Sequence, residues 1–413
     1  MATDSPGCRT PHSSSVLESS MTIQRLDLFH VDLPLRSRVK HASHDRISSD
    51  SLIARITLED GTTGYGEGVP RLYVTGETIA TTFESLQVFD VAKHVGRPSD
   101  YAEVVNRLEA LEFPETAADP RGMAGNAAHC ALEMAVLDAY GRRFSKSYGD
   151  AVRLVKVCGV STSSKPTRVR YSGAITAASF RKEIYSAARM WLYGFRQIKV
   201  KVGVPGQDDV ARLRALRKVV SRKVDLRIDA NESWTPEETV ERVKELLPFH
   251  PSVLEQPVPH AKIEELASLR PEIGMPIMLD ESLCGYPDAV HAIEHHSADL
   301  FNVRLSKCGG LIASLRIIGL AMRSGIGLQL GCHPGETGLL SAAGRHFASN
   351  VRGFQYVEGS YDAHILERNV TTGNMTFGYG GLAPPLLGPG LGVEVDLSAL
   401  DAMTKNRLEI CYE

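Results

Sequence analysis

The stretch LRIDANESW, residues 226–234, carries apolar, strand-compatible residues into Asp229, with Asn231 two positions on. A carboxylate at the end of a buried strand is costly unless a cation or hydrogen bonds take up its charge. The same arrangement recurs along the chain. Short apolar runs appear as RYSGAIT (170–176), QIKVKVG (197–203), DLRIDAN (225–231), VLEQPV (253–258), IMLDES (277–282), LFNVRLSK (300–307), GLQLGCH (327–333) and FQYVEG (354–359). Helical segments separate most of them. Runs apolar on both faces suit parallel strands covered on both sides. The pattern predicts an α/β fold, a (β/α)7–8 TIM-type barrel.

Charged residues fall at the ends of these runs. From Lys201 to Asp229, Glu255, Asp280 and Lys307 the steps are 28, 26, 25 and 27 residues. One strand–helix unit takes about 30 residues, so successive strands deliver these groups to one end of the barrel. Three carboxylates clustered there repel one another unless a cation lies between them. An all-oxygen set, without His or Cys, suits a hard cation, Mg²⁺ above all. Lys199 and Lys201, two apart on one strand, face the same way, and Lys307 lies four strands on. Neighbouring cations depress a lysine's pKa and fit it to act as a base. A cation that binds a carboxylate stabilises the enediolate formed when the adjacent C–H loses its proton. The first step is therefore legible. Its outcome stays open between proton return, a lyase reaction and a purely electrostatic role for the second lysine.

The remaining organisation frames that barrel. Residues 1–20 are Ser-rich and polar, read as a disordered tail or an over-long start before Met21. Residues 21–150 read as an α+β capping domain. IQRLDLFHVDLPL (23–35) alternates, Asp60-Gly61 sits between two β-rich runs as a hairpin signal, and residues 79–112 and 126–146 read as helices. Residues 151–370 form the catalytic barrel. Residues 371–413, Gly/Pro-rich at first, return to the cap.

Composition excludes several classes. The 413 residues carry a net charge of −3, with no electrostatic case for nucleic acid or an anionic membrane. No apolar run is long enough to suggest a spanning helix. Seven scattered cysteines without a C-x-x-C pair argue against a disulfide framework and fit a cytoplasmic protein. A G-x-S-x-G elbow and a phosphate loop are both missing. A Schiff-base aldolase does not need three carboxylates in register, and a non-catalytic binding barrel does not need the lysines.

K-x-K at 199–201, DAN at 229–231, EQP at 255–257, DES at 280–282 and SKCGG at 306–310 together resemble the enolase superfamily, in its muconate lactonizing enzyme subgroup, related to mandelate racemase. The resemblance spans about residues 21–400. It implies Asp229, Glu255 and Asp280 as Mg²⁺ ligands, with Mn²⁺ able to substitute. It implies Lys201 and Lys307 as acid/base groups on opposite faces, with Lys199 lowering the pKa of Lys201. Asn231 and Glu281 would lie just behind the ligands. It implies a small carboxylate substrate and a homo-oligomer, dimer or octamer. The outcome would be cycloisomerisation or racemisation/epimerisation, with a dehydratase or o-succinylbenzoate synthase-type lyase as alternatives.

Two cap loops, near 36–44 and 66–77, would close over the mouth. The first offers Arg36, Arg38, Lys40, His41 and His44, and the second Arg71 and Tyr73. His333, Glu336 and Glu358, from the ends of the last two strands, would also face the substrate. The flanking His333-Pro334-Gly335 differs from the muconate lactonizing pattern, and strand eight lacks the D-x-D of dipeptide epimerases.

Overall fold

The computed structural model describes residues 21–40, 45–113, 125–176 and 179–412, with the side chains of 38–40 and 45 left aside. The expected tail at 1–20 lies outside the described residues. Strands β1 (Ile23–Lys40), β2 (Asp45–Leu58) and β3 (Thr63–Gly68) form an antiparallel meander. Its β2–β3 register runs from Leu52 opposite Gly68 to Thr57 opposite Thr63, across the turn holding Asp60-Gly61.

After a short β4 (Val169–Arg170) come the barrel strands. They are β5 (Gly173–Ile175), β6 (Gln197–Lys201), β7 (Asp225–Asp229), β8 (Leu254–Glu255), β9 (Ile277–Leu279), β10 (Leu300–Val303), β11 (Gly327–Leu330) and β12 (Phe354–Val357). They pair in sequence order as one parallel sheet. Its two edges meet where Ser172 N donates to Val357 O at 2.8 Å. All eight runs read from the sequence are strands here.

The chain then leaves the barrel. Strand β13 (Leu382–Ala383) pairs with β4, and β14 (Thr404–Cys411) adds antiparallel to β1. The returning strand is held by charge as well as backbone. Buried Asp27 of β1 accepts from Arg407 of β14 at 2.7 Å and from Arg55 of β2 at 2.9 Å.

The segment 79–112 is three helices, Ile79–Gln87, Val91–Val95 and Tyr101–Glu109. Asp90 and Asp100 each accept a backbone N–H three residues on, at 2.9 Å, and so start new helices. The helix Asn126–Arg143 lies within the span 126–146 read as helical. It is buried on nearly all sides, between the cap sheet and the barrel helix Leu311–Arg323.

Its approach to β3 sets the packing inside the cap. Gly64, Gly66 and Gly68 face the helix, and Ala127, Ala131, Ala135 and Ala139 face back. A Cβ at Gly66 would lie 2.0 Å from Ala131 O, and one at Gly64 would lie 2.0 Å from Ala139 N. No side chain fits between these backbones.

Two buried glutamates then tie the cap to the barrel. Glu67 of β3 accepts from Thr337 N (2.9 Å) and Leu340 N (3.2 Å), at the start of the helix Gly338–Asn350. Glu133 accepts from Leu311 N and Ile312 N at the start of Leu311–Arg323. Each carboxylate satisfies N–H groups that a helix start leaves unpaired.

Among the described residues no helix is long and apolar enough to cross a membrane. Gly66→Ala is expected to cost ~2 kcal/mol or more by overpacking, read as a lower melting temperature beside a Gly373→Ala surface control, where a Cβ would meet only Met375 Cε at 3.6 Å.

Candidate active site

Strand register sets the height of each charged group. Lys201 lies level with Asp229, and Asp229 with Glu255. Asp280 and Lys307 follow β9 and β10 at the same end. Among these, Lys199 is buried between three carboxylates, 3.3 Å from Asp229, 3.3 Å from Glu255 and 2.9 Å from Glu358. Burial works against its charge, but Glu255, Glu358 and Asp229 outweigh it and hold the amine charged, above its ordinary value.

Lys201 differs. Among the described residues its amine takes no hydrogen bond or ion pair, and it is only partly exposed. Burial pushes its pKa down; Asp229 opposes this, and Lys199 and Arg304 add to it.

Lys307 is fully enclosed. It donates to Asp280 O at 2.5 Å, Asp280 Oδ1 at 2.9 Å and Asn302 O at 2.9 Å, which accounts for all three ammonium protons.

The carboxylates are held from behind. Asn302 Nδ2 donates to Glu255 Oε1 at 2.9 Å, and Asn231 Nδ2 to Glu281 Oε1 at 3.2 Å. Burial, then Asp229 and Glu232, raise Glu281 to about 8. Gln256 accepts from Asp280 N at 2.9 Å and donates to Ser282 Oγ at 2.7 Å, so it fastens the end of β8 to that of β9. Asn231, Glu232 and Gln256 all hold positive φ (44°, 63° and 36°). Such backbone is costly for non-glycine residues and collects at functional sites.

Glu358 bridges the mouth and the barrel interior. One oxygen meets Lys199 and the other accepts from Arg227 at 3.0 Å, whose guanidinium stacks 4.2 Å over Tyr356.

The sequence reading missed Arg227, Gln256, Asn302 and Arg304. A signal for three of them was present, since Arg227 precedes Asp229 by two, and Asn302 and Arg304 stand two apart. Polar residues at period two inside an apolar strand line the barrel interior.

Arg304 changes the picture of the carboxylate cluster, because it forms an ion pair with Asp280. Among the described residues no three His, Cys, Asp or Glu are grouped as a ready metal cage. Lys199 and Arg304 supply the positive charge instead. The donor chemistry still fits a hard cation: carboxylate oxygens come from neighbouring strands, and among the described residues Glu255 Oε2 is buried without a hydrogen-bond partner.

The candidate substrate contacts divide. His333, Glu336 and Glu358 are buried at the strand ends. Tyr73 lies under Arg46, 5.3 Å from ring centre to guanidinium. Arg36 is exposed on β1, and its charge is felt at His364. His41 and His44, and the side chains of Arg38 and Lys40, lie outside the described residues.

Comparison with known proteins can now be set beside this geometry. A family described as "Enolase C-terminal domain-like" matches residues 183–399. The chain belongs to that family. A hydrophobic dipeptide epimerase of Enterococcus faecalis is 29% identical over 73% of this chain and 80% of its own length. Muconate cycloisomerase 1 of Rhodococcus opacus is 27% identical over 94% of this chain and 100% of its own. The crystal structure of a Cytophaga hutchinsonii dipeptide epimerase, complexed with Mg and the dipeptide D-Ala-L-Val, has a TM-score of 0.79. It is 24% identical and covers 94% of this chain and 100% of that one. The family and fold read from the sequence are thus borne out. The chain is an enzyme of the enolase superfamily, and these relatives are isomerases.

Breaking the buried bridge is expected to be costly. Glu358→Leu leaves Arg227 and Lys199 short of an anion and should cost ~3–5 kcal/mol. The double variant Arg227→Met/Glu358→Leu should recover part of that loss in thermal melts.

Proposed function

We propose that this enzyme removes the proton α to a substrate carboxylate, with Mg²⁺ held by Asp229, Glu255 and Asp280. The observation that carries the reading is the contrast between the lysines: Lys199 is caged by carboxylates while Lys201, two residues on, has none bonded to it among the described residues. A bound divalent cation supplies positive charge to the carboxylate oxygens as the enediolate forms.

The chain's own residues do the rest. Lys201 Nζ takes the proton, and the C–H electron pair moves into the carboxylate. Lys199, charged and desolvated, faces the developing negative charge, where a pre-placed cation is worth most. Glu358 and Arg227 keep Lys199 in position. Lys307, from the strand four along, stands across the barrel. A proton given from its Nζ to the opposite face of the carbanion yields racemisation or epimerisation, the outcome that the epimerase relatives support.

Cycloisomerisation is the second reading, favoured by the three hydrogen bonds of Lys307. An ammonium so occupied serves as a fixed charge, and the enediolate then collapses without a second proton transfer.

The test is α-proton exchange in D₂O, followed by NMR, with N-acyl amino acids, dipeptides, muconolactones, hydroxyprolines and sugar acids. Exchange should require Mg²⁺, stop with a chelator, and fall at least ~10²-fold in Lys201→Ala. A base works deprotonated, so the rate should rise with pH and level off below the ordinary lysine value of 10.5. Exchange that survives in Lys201→Ala would sink the assignment. In Lys307→Ala, retained exchange with lost inversion marks two-base chemistry, and an unchanged product marks the second reading.

A further inference from the structure

The seam between cap and barrel carries more positive charge than the reaction uses. Arg71, in the second cap loop, is only 4% exposed. Its guanidinium bonds neutral oxygens: Pro70 O at 2.7 Å, Asp50 O at 2.9 Å and Ser49 Oγ at 2.7 Å. Among the described residues no carboxylate pairs with it. A desolvated cation without a counter-ion is expensive. Burial, then the nearby Arg46, hold its pKa down to about 10.

The barrel meets this point through the loop after β11. Gly335 has φ +89°, and a Cβ there would lie 2.5 Å from the Cβ of Ser49, the same serine that Arg71 bonds. Two residues earlier stands His333, 4% exposed, with its Nε2 buried and lacking any hydrogen-bond partner among the described residues. Burial and four surrounding cations, Arg304, Arg71, Lys307 and Arg46, keep its imidazole neutral. The carboxylates nearby do not cancel that charge. Glu67 is spent on Thr337, Leu340 and Ser51. Glu336 accepts from His333 N at 3.1 Å, and burial, then Glu67, pushes it well above the usual carboxylate range. Asp50 is half exposed and bonded to His30.

We propose that this seam is a second anion subsite, in which Arg71, Arg304 and the free Nε2 of His333 take a carboxylate at the far end of the substrate. The inference rests on the reaction proposed above and narrows its substrate class to dicarboxylates: one carboxylate lies at the lysines, the other at the cap. Arg304 links the two ends, since its guanidinium reaches Asp280 and its charge is felt at His333. The arrangement also accounts for a buried arginine on a cap loop, where an arginine would ordinarily extend into water.

The test uses the full chain in Mg²⁺ and two probes of equal length, glutarate and pentanoate, with affinities taken by titration calorimetry. Glutarate should bind about tenfold more tightly or better, the discrimination typical of one added charge-assisted pair. Arg304→Gln and His333→Gln should each shrink that ratio, and Arg71→Lys should keep more of it than Arg71→Gln. Thermal melts identify any variant that fails to fold, and the two barrel variants stand independently of the cap one. Equal affinity for the probes, absence of binding by both included, overturns the subsite. So does a ratio that survives in every folded variant. Removal of Mg²⁺ tests the reacting end separately, because it should weaken both probes while their ratio still reports on the cap end alone.

Discussion

Three carboxylates cannot share one barrel mouth without positive charge among them, and most of the site follows from that constraint. Lys199 answers it for Asp229 and Glu255, and Arg304 and Lys307 answer it for Asp280. Glu358 then has to neutralise both Lys199 and Arg227, which lies deeper in the barrel. The result is a continuous chain of alternating charge from the barrel interior to its rim. One lysine amine, that of Lys201, is left outside it. Freedom from an ion pair lets an amine surrender its charge more easily than a paired one.

The cap obeys a related rule, with backbone dipoles in place of side-chain charges. Glu67 and Glu133 lie at two helix starts of the barrel, where unpaired N–H groups favour an anion. Burial raises both carboxyls to about 7, against those hydrogen bonds. A carboxyl raised in the folded protein favours folding below its unfolded value near 4.5, and that contribution fades as pH climbs through 7. Both groups therefore weaken the grip of cap on barrel toward alkaline pH.

Much of this was legible in the sequence, and the reasons differ by element. Parallel strands buried on both faces leave short apolar runs, so all eight were visible, and their polar ends marked the site end of the barrel. Arg304 was passed over because LFNVRLSK reads first as a strand leading to Lys307. Its alternation, Asn302 then Arg304, carried the missing information. The segment 79–112 gave helix propensity but hid its breaks, which depend on side-chain caps at Asp90 and Asp100. The helix Asn126–Arg143 was legible as a helix, but periodicity cannot reveal a second neighbour packed on its small residues. The pairing of Arg304 with Asp280 could not be read at all, because side chains from different strands meet only in three dimensions.

The glycine face of β3 has one more implication. With Gly64, Gly66 and Gly68 pressed on Ala127, Ala131 and Ala139, the cap's sheet and helix form one block, and Asn126 of that helix donates to Cys284 O and Lys307 O of the barrel. The loops of the cap take no part in that packing. Sequence in those loops can then vary while the lysines and carboxylates at the barrel mouth keep their places, so the two parts of the chain are free to change at different rates.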